Sequence, residues 1–328
     1  MKRMLAVIAV LAIFLAGAFF TESNQQKSQA ARPKVGVLTL MRHPALDQIY
    51  RGFRHELRKE MGDRVKIDYQ NANGDQSNLA TMAARLSEED NQLLVGITTP
   101  AAQALANRSG KTPLLLGAVT DPQSAHLVKN AAHPGGHITG VSDQAPIGQQ
   151  LQLIKAFVPN LKTLGVIYTS SDSSAVAGYR KIAAECKKQG IHLRAYSIAN
   201  SNDLNQVSEQ MLSQVDAVIT PTDNTIAGAM RTLVKNANAA GKPVFPAVAS
   251  MVKQGGVATY SINQYQLGVE IAKMSVRILK GKQKSGDLTV YFAKKGTPTL
   301  NLKQARQLHL HVPARFMKEC ARKGVIYR

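Results

Sequence analysis

The sequence predicts an α/β protein built from two doubly wound, parallel-sheet lobes. Its 328 residues exceed the ~100 to 200 residues typical of one domain, so two cores are expected. Short apolar runs alternate with helix-length segments along the chain from Lys34 onward. The apolar runs show no in-and-out alternation, which indicates strands covered by helices on both faces and paired in parallel.

The first series of elements begins with the apolar run Val35–Leu40. In the segment that follows, Ile49, Phe53 and Leu57 recur at helical spacing, which predicts a helix over 47–61. The same reasoning predicts further strands and helices in alternation, namely strands at 65–69, 93–97, 114–119 and 138–141 and helices at 77–87 and 101–108.

A second series repeats the pattern and predicts the second lobe. Its expected helices are 148–157, 175–189, 204–212, 226–239 and 265–279. Its expected strands are 164–168, 193–198, 217–220, 244–245 and 257–260.

The first thirty residues have the order of a secretory signal. Lys2 and Arg3 precede the apolar stretch Met4–Phe20, and a polar stretch follows up to Ala30. The apolar stretch is at the lower limit for spanning a bilayer, so residues 1–30 are either a cleaved signal peptide or an N-terminal anchor. Both alternatives place the rest of the chain outside the cytoplasm.

The composition restricts the partners and the chemistry. The chain has 41 Lys plus Arg against 21 Asp plus Glu, a net charge of +20 that indicates either a solvated basic surface or an anionic partner. The only cysteines, Cys186 and Cys320, lack metal-site and redox-motif spacing. In an exported protein they could form a disulfide or remain buried thiols.

The loops that follow the strands are the expected ligand site, because doubly wound sheets bind ligands at the carboxyl ends of their strands. Thr98, Thr99 and Ala101 belong to a loop that opens a helix, where hydroxyls and free N–H groups could hold a carboxylate or phosphate. The same residues could instead cap only their own helix. A similar loop, with Thr120 and Asp121, follows the next strand.

Loops of the second lobe offer the opposite charge. Asp223, next to Asn224, ends a strand and could cap the following helix or meet a cation. Facing the threonine loops, it would complete a site for a zwitterion. His43 and Leu46 could form a wall of that site, and Ser170 adds a hydroxyl from the second lobe.

Signatures of catalysis and of metal binding are missing from the sequence. It contains no G-x-S-x-G, Walker A, H-E-x-x-H or G-x-G-x-x-G motif. The neighbouring histidines His133 and His137, and His309 and His311, have no third ligand nearby in sequence. We therefore expect neither an enzyme nor a metal site, and no cofactor.

Several motifs in order resemble one protein family. They are Asp121-Pro122, Pro134-Gly135-Gly136 followed by Thr139-Gly140-Val141-Ser142, Thr222-Asp223-Asn224, and Gln264 to Gly268. Together they are similar to the tryptophan/tyrosine-type ABC transporter substrate-binding proteins over roughly residues 34–313. The resemblance implies a type I periplasmic-binding-protein fold with a multi-strand hinge and an amino acid, often aromatic or hydrophobic, bound between closing lobes.

The resemblance also implies roles for particular residues. Thr99, Ala118 and Thr120 would bind the ligand carboxylate, Asp223 with Asn224 the ammonium, and His43 with Leu46 the side chain. The wider expected site adds Thr98, Ala101, Asp121, Ser142 and Ser170. Many relatives carry a lipid-modified cysteine at the end of the signal, but Ala18 stands here, so no lipidation is expected.

Further expectations concern architecture and partners. The resemblance implies an N-terminal lobe of 31–143 plus 260–293 and a C-terminal lobe of 144–259 plus 294–328. It implies a periplasmic monomer that delivers its ligand to an ABC permease of the inner membrane. The same fold could bind a sugar or nucleobase or act as a ligand sensor. Nucleic-acid binding is not expected, because an apolar segment stands where a sugar-repressor relative has its helix-turn-helix.

Overall fold

The computed structural model describes residues 32–328, so the signal or anchor predicted at 1–30 lies outside the described residues. The strands in chain order are β1 (Lys34–Thr39), β2 (Lys66–Asn71), β3 (Leu93–Ile97), β4 (Leu114–Gly117), β5 (Ile138–Ser142), β6 (Thr163–Thr169), β7 (His192–Ile198), β8 (Ala217–Thr220), β9 (Val244–Pro246), β10 (Ala258–Ser261), β11 (Tyr291–Phe292), β12 (Thr297–Asn301) and β13 (Val325–Tyr327).

The α-helices in chain order are α1 (Pro44–Met61), α2 (Gln76–Glu88), α3 (Thr99–Ala106), α4 (Ile147–Phe157), α5 (Ser173–Lys188), α6 (Leu204–Leu212), α7 (Asn224–Gly228), α8 (Met230–Ala239), α9 (Ala249–Lys253), α10 (Gln264–Leu279), α11 (Leu302–Gln307) and α12 (Ala314–Lys323). None of the helices in 32–328 is long and apolar enough to cross a membrane.

Two parallel sheets form the framework and confirm the predicted fold class. The first has six strands in the order β11-β5-β4-β3-β1-β2. The second has four strands in the order β7-β6-β8-β9. In both, the order reverses next to the first strand of the series, and such switch points place the post-strand loops around a crevice.

A third, small sheet was not predicted from the sequence. It has the order β10-β12-β13, with β10 antiparallel to β12 and β12 parallel to β13. Its strand β10 matches the strand predicted at 257–260, whereas β12, which contains Pro298, and the three-residue β13 do not stand out as strands in the sequence. The predicted helix over 226–239 is also interrupted, because the chain forms α7 and α8 on either side of Ala229.

The first lobe is held by the packing of α1 on α10. Phe53, Ile49 and Leu57, predicted from their spacing to face the core, are fully buried. The two helices cross so closely that a Cβ at Gly52 would lie 2.1 Å from the carbonyl oxygen of Tyr265, and one at Gly268 would lie 2.0 Å from that of Ile49. This crossing fixes the amino end of α1, which opens directly onto the candidate site.

Both cysteines are free, buried thiols on helices of the second half of the chain. Cys186 and Cys320 belong to one apolar cluster with Phe157 and Phe316. Burial raises the pKa of Cys186 to about 11 and that of Cys320 to about 12. Of the two alternatives left open by the sequence, the structure shows the buried thiols.

Candidate functional site

A cavity lies where the post-strand loops of the two parallel sheets meet. Eight residues expected from the sequence line it: His43, Leu46, Thr98, Thr99, Ala118, Thr120, Asp223 and Asn224. The remaining lining residues were not among the expected ones: Ala45, Asp143, Ser174, Thr222, Ala227, Val248 and Gln264. Loops far apart in sequence are thus brought to one point, as the switch-point rule predicts.

The lobes are closed over this cavity. The lining atoms leave ≈ 390 Å³ between them, but the centre of a water molecule can reach only ≈ 20 Å³ of it. Such a space holds about one water. A larger guest can therefore enter only after the lobes part.

Hydrogen bonds between the lobes hold the closed arrangement. His43 Nε2, from the loop after β1, is 3.1 Å from Asn224 Oδ1 at the start of α7. Lys181 Nζ on α5 is 2.8 Å from Asp121 Oδ2 in the loop after β4. Ser173 Oγ donates to Gln103 Oε1 over 3.3 Å. Each of these contacts must break when the cavity opens.

The first lobe presents unpartnered donors to the cavity. Among the hydrogen bonds of residues 32–328, none has the backbone N–H of Thr99, Ala118 or Thr120 as its donor. Thr99 Oγ1 is buried and also lacks a partner within those residues. Buried N–H groups are almost always hydrogen-bonded in folded proteins, so this cluster is prepared for an acceptor such as a carboxylate.

Strained backbone positions these donors. Thr98 has φ 95° and Ala118 has φ 60°, the left-handed region that side chains other than glycine rarely adopt. Such residues persist at functional sites and cost about 1 to 3 kcal/mol each. Thr98 also caps α3, accepting from Ala101 N at 3.4 Å, so the positive end of that helix dipole points toward the cavity.

The second lobe contributes Asp223, which is almost completely buried. Its carboxylate accepts hydrogen bonds from Thr169 N at 2.6 Å, Thr169 Oγ1 at 3.0 Å and Ile226 N at 3.0 Å. Burial nevertheless raises the pKa of Asp223 to about 6, and the negative charge of Asp172 adds to the rise. Asp223 is therefore both the cap of α7 and a charged wall of the cavity.

Asp143, which sequence reasoning missed, is the other carboxylate of the cavity wall. Its Oδ1 accepts from Thr120 Oγ1 at 2.8 Å, so the Thr120 hydroxyl proton is already committed within the protein. Burial raises the pKa of Asp143 to about 7, and the charge of Asp172 again contributes. Only its position after β5 could have indicated it, since this loop passes from the first sheet toward the second.

A third carboxylate, Asp172, lies behind the other two. It caps α5 by accepting from Ser174 N at 2.8 Å, and it accepts from Asn224 Nδ2 at 3.3 Å. Lys181, the cation that acts on Asp143, is itself bound to Asp121. Burial lowers the pKa of His43, which keeps that ring neutral near pH 7. The cavity therefore carries excess negative charge at its acidic side.

Four expected residues do not line the cavity. Asp121 forms the ion pair with Lys181, whose ammonium holds the pKa of Asp121 below its usual range despite partial burial. Ser142 Oγ donates to Thr120 O, and Ser170 Oγ donates to Ile198 O. Ala101 is fully buried inside the first turn of α3. These residues support the loops that carry the cavity wall.

The arrangement offers opposite chemistry on its two sides. Unpartnered donors follow β3 and β4, whereas carboxylates follow β5, β6 and β8. In the described part of the chain, no three His, Cys, Asp or Glu side chains form a group that could hold a metal ion. A small molecule with an anionic end and a cationic end would satisfy both sides at once.

Comparison with known proteins identifies the family. Residues 34–323 match the model of the family described as ABC transporter substrate binding protein. The chain is 31% identical over 277 residues to a "Tyrosine-binding protein" of Clostridioides difficile, covering 84% of this chain and 80% of the relative.

Solved structures agree with that assignment. An ABC domain from Streptococcus pneumoniae in complex with L-Trp is 40% identical, with a TM-score of 0.87, covering 90% of this chain and 100% of that one. The leucine binding protein LivK of Thermotoga maritima, at 12% identity and a TM-score of 0.59, covers 77% of this chain and 84% of that one and shares the fold. The chain therefore belongs to the family of ABC transporter substrate binding proteins.

Proposed function

We propose that this protein binds an aromatic L-amino acid between its lobes and delivers it to an ABC permease. The observation that carries the proposal is the polarity of the cavity, which has unsatisfied N–H donors on one side and buried carboxylates on the other. A free amino acid carries an anionic and a cationic group next to each other, as this polarity requires.

The ligand carboxylate is assigned to the donors of the first lobe. The N–H groups of Thr99, Ala118 and Thr120 and the Thr99 hydroxyl would each gain an acceptor. Hydrogen bonds to an ionised acceptor contribute about 1.5 to 3 kcal/mol each. Because these donors lack partners within residues 32–328 of the closed protein, binding sacrifices no hydrogen bond among those residues.

The ligand ammonium is assigned to Asp143 and Asp223. Of the two, Asp143 has more free acceptor capacity, because it accepts one side-chain hydrogen bond while Asp223 accepts three hydrogen bonds. Placing an ammonium beside both carboxylates offsets the cost of keeping them buried and charged. Asn224 joins this side through its hydrogen bond to Asp172.

The ligand side chain is assigned to the apolar part of the cavity. Leu46, Ala45, Ala227 and Val248 face it, with the neutral ring of His43 beside them. The proposal of an aromatic side chain rests on the two relatives whose names state tyrosine and L-Trp. Only ≈ 20 Å³ of the closed cavity is accessible to a water, so this assignment requires the lobes to part before an aromatic side chain can enter.

Delivery would follow from hinge motion. We propose that 31–143 plus 260–293 and 144–259 plus 294–328 move as the two lobes, with the ligand stabilising the closed state. The secretory pattern of residues 1–30 supports action in the periplasm, either free or held by an N-terminal anchor, and we propose that the protein acts there as a monomer.

Calorimetry and thermal-shift measurements test the proposal. The protein is titrated with L-tryptophan, L-tyrosine, sugars and nucleobases, and its melting temperature is recorded with each. An aromatic amino acid should raise the melting temperature in proportion to the logarithm of its concentration above the dissociation constant. A shift with sugars or nucleobases and none with amino acids would overturn the ligand class.

A further inference from the structure

We propose that the exposed face of α1 is a docking surface for the phosphate headgroups of an anionic membrane. This surface, the α1 arginine face, is an open groove of ≈ 660 Å³ lined by Arg42, Asp47, Tyr50, Arg51, Arg54, His55, Arg58 and Lys59. It shares no lining residue with the amino-acid cavity.

Three of the four arginines on this face lack anionic partners within residues 32–328. Arg51, Arg54 and Arg58 recur at spacings of three and four residues, so their side chains share one exposed face of the helix. None of the three forms an ion pair with any other described residue. Like charges at these spacings destabilise a helix, so this row of arginines does not stabilise α1 by itself.

The acids of α1 are engaged with other cations. Asp47 Oδ1 lies 3.3 Å from Arg42 Nε, and Glu56 Oε2 lies 3.4 Å from Lys59 Nζ. Glu60 Oε2 lies 3.9 Å from Lys280 Nζ on α10. The acidic residues of α1 therefore pair with other cations, and Arg51, Arg54 and Arg58 remain available for an external anion.

The remainder of the groove suits a phosphate-bearing surface. Tyr50 is half-buried beside the arginines, with its ring centroid 4.1 Å from that of Tyr69. His55 Nδ1 is 2.7 Å from the phenolic Oη of Tyr265, and this contact orients the His55 ring at the rim of the groove. Guanidinium groups match phosphate oxygens in a two-pronged geometry, and tyrosine is favoured where one end is apolar and the other wet.

An extended surface fits better than one small anion. The available arginines run from Arg51 to Arg58, which is ~10 Å along α1 at ~1.5 Å per residue, and Arg42 and Lys59 extend the row of cations at its two ends. A single phosphate would engage only one end of this row. A protein that serves a permease works beside a lipid surface, and basic residues there contribute about 1 kcal/mol each to binding anionic lipid.

Vesicle sedimentation tests the proposal with a matched control. The protein without residues 1–30, so that no N-terminal anchor can contribute, is mixed with phosphatidylcholine vesicles, with or without phosphatidylglycerol. The test variant is the triple change R51Q/R54Q/R58Q. The control is R315Q/K318Q/R322Q on α12, which removes the same charge at the same spacing from three exposed positions on another helix. Glutamine keeps a favourable helix propensity, so both variants should fold.

The expected result is binding only to vesicles that contain phosphatidylglycerol, reduced roughly 100-fold in R51Q/R54Q/R58Q and far less in the control. Binding should weaken at high salt, and the affinity for L-tryptophan should be the same in all three proteins. Equal losses in both variants would show a general effect of net charge and overturn the proposal. So would full displacement by inorganic phosphate or by an acidic peptide at matched ionic strength, which would identify a free anion or a protein as the occupant.

Discussion

The affinity for the amino acid should depend on pH because two of the carboxylates that face its ammonium titrate near neutrality. The pKa of Asp143 is about 7 and that of Asp223 is about 6, both raised mainly by burial. An ammonium binds the ionised forms, so each protonated carboxylate must first lose its proton. The charge of Asp172 acts on both carboxylates and that of Lys181 on Asp143, while burial lowers the pKa of His43 and so favours its neutral form.

The magnitude follows from the fraction of each carboxylate that is ionised. Between about pH 6 and about pH 7.5, deprotonation of Asp143 would tighten binding roughly 8-fold and that of Asp223 roughly 2-fold. Together they predict an affinity roughly 15-fold higher at the upper pH, accompanied by release of protons on binding. Isothermal titration with L-tryptophan in buffers of different ionisation enthalpy measures both quantities.

The stability of the ligand-free protein should change in the opposite direction. Both pKa values are raised on folding above the ordinary aspartate value of about 4, so the folded state binds more protons than the unfolded state. The free energy of unfolding should therefore fall as the pH rises from about 4 through 7. Added amino acid should offset that loss.

A matched pair of variants isolates the source of the pH dependence. Asp143→Asn should leave only the roughly 2-fold change assigned to Asp223. Asp63→Asn, at an exposed aspartate outside the site, should behave like the wild type. An affinity that does not vary with pH, or a full-sized dependence in Asp143→Asn, would refute the assignment of the ammonium to this pair of carboxylates.

Two further substitutions test the donor side and the scaffold. Thr99→Val removes a hydroxyl without an internal partner, so it should weaken amino-acid binding roughly tenfold without lowering stability, whereas Thr81→Val on exposed α2 should not affect binding. Unchanged affinity in Thr99→Val would remove this hydroxyl from the site. Gly268→Ala should reduce the free energy of unfolding by about 1 to 3 kcal/mol or more, because its Cβ would clash with Ile49 O. Gly148→Ala is the control, because the atom nearest to its added Cβ would be 3.5 Å away. If Gly268→Ala and the wild type had equal denaturation midpoints, the predicted clash with Ile49 O would be refuted.

The sequence predicted those features that depend on local order. Strand and helix alternation placed Ile49 and Phe53 in the core and the loops after β3, β4 and β8 at one site. Periodicity failed at Ala229 in the predicted helix over 226–239, where the residue types continue a helical pattern but the backbone breaks between α7 and α8.

The features that the sequence did not reveal depend on contacts between distant segments. Asp143 is followed by no helix that it caps, so nothing local distinguishes it from a loop residue, and its importance comes from Thr120 and the second lobe. Asp121 looked like a ligand contact but binds Lys181, 60 residues later in the chain. Such pairings become visible only when the two sheets are brought together.

The most direct test of the central claim is a crystal structure of the protein with bound L-tryptophan. We expect the ligand ammonium within hydrogen-bond distance of the Asp143 or Asp223 carboxylate. Its carboxylate should lie on Thr99 Oγ1 and on the N–H groups of Thr99, Ala118 or Thr120. A ligand bound in the reverse orientation, or outside the cavity between the sheets, would contradict the account.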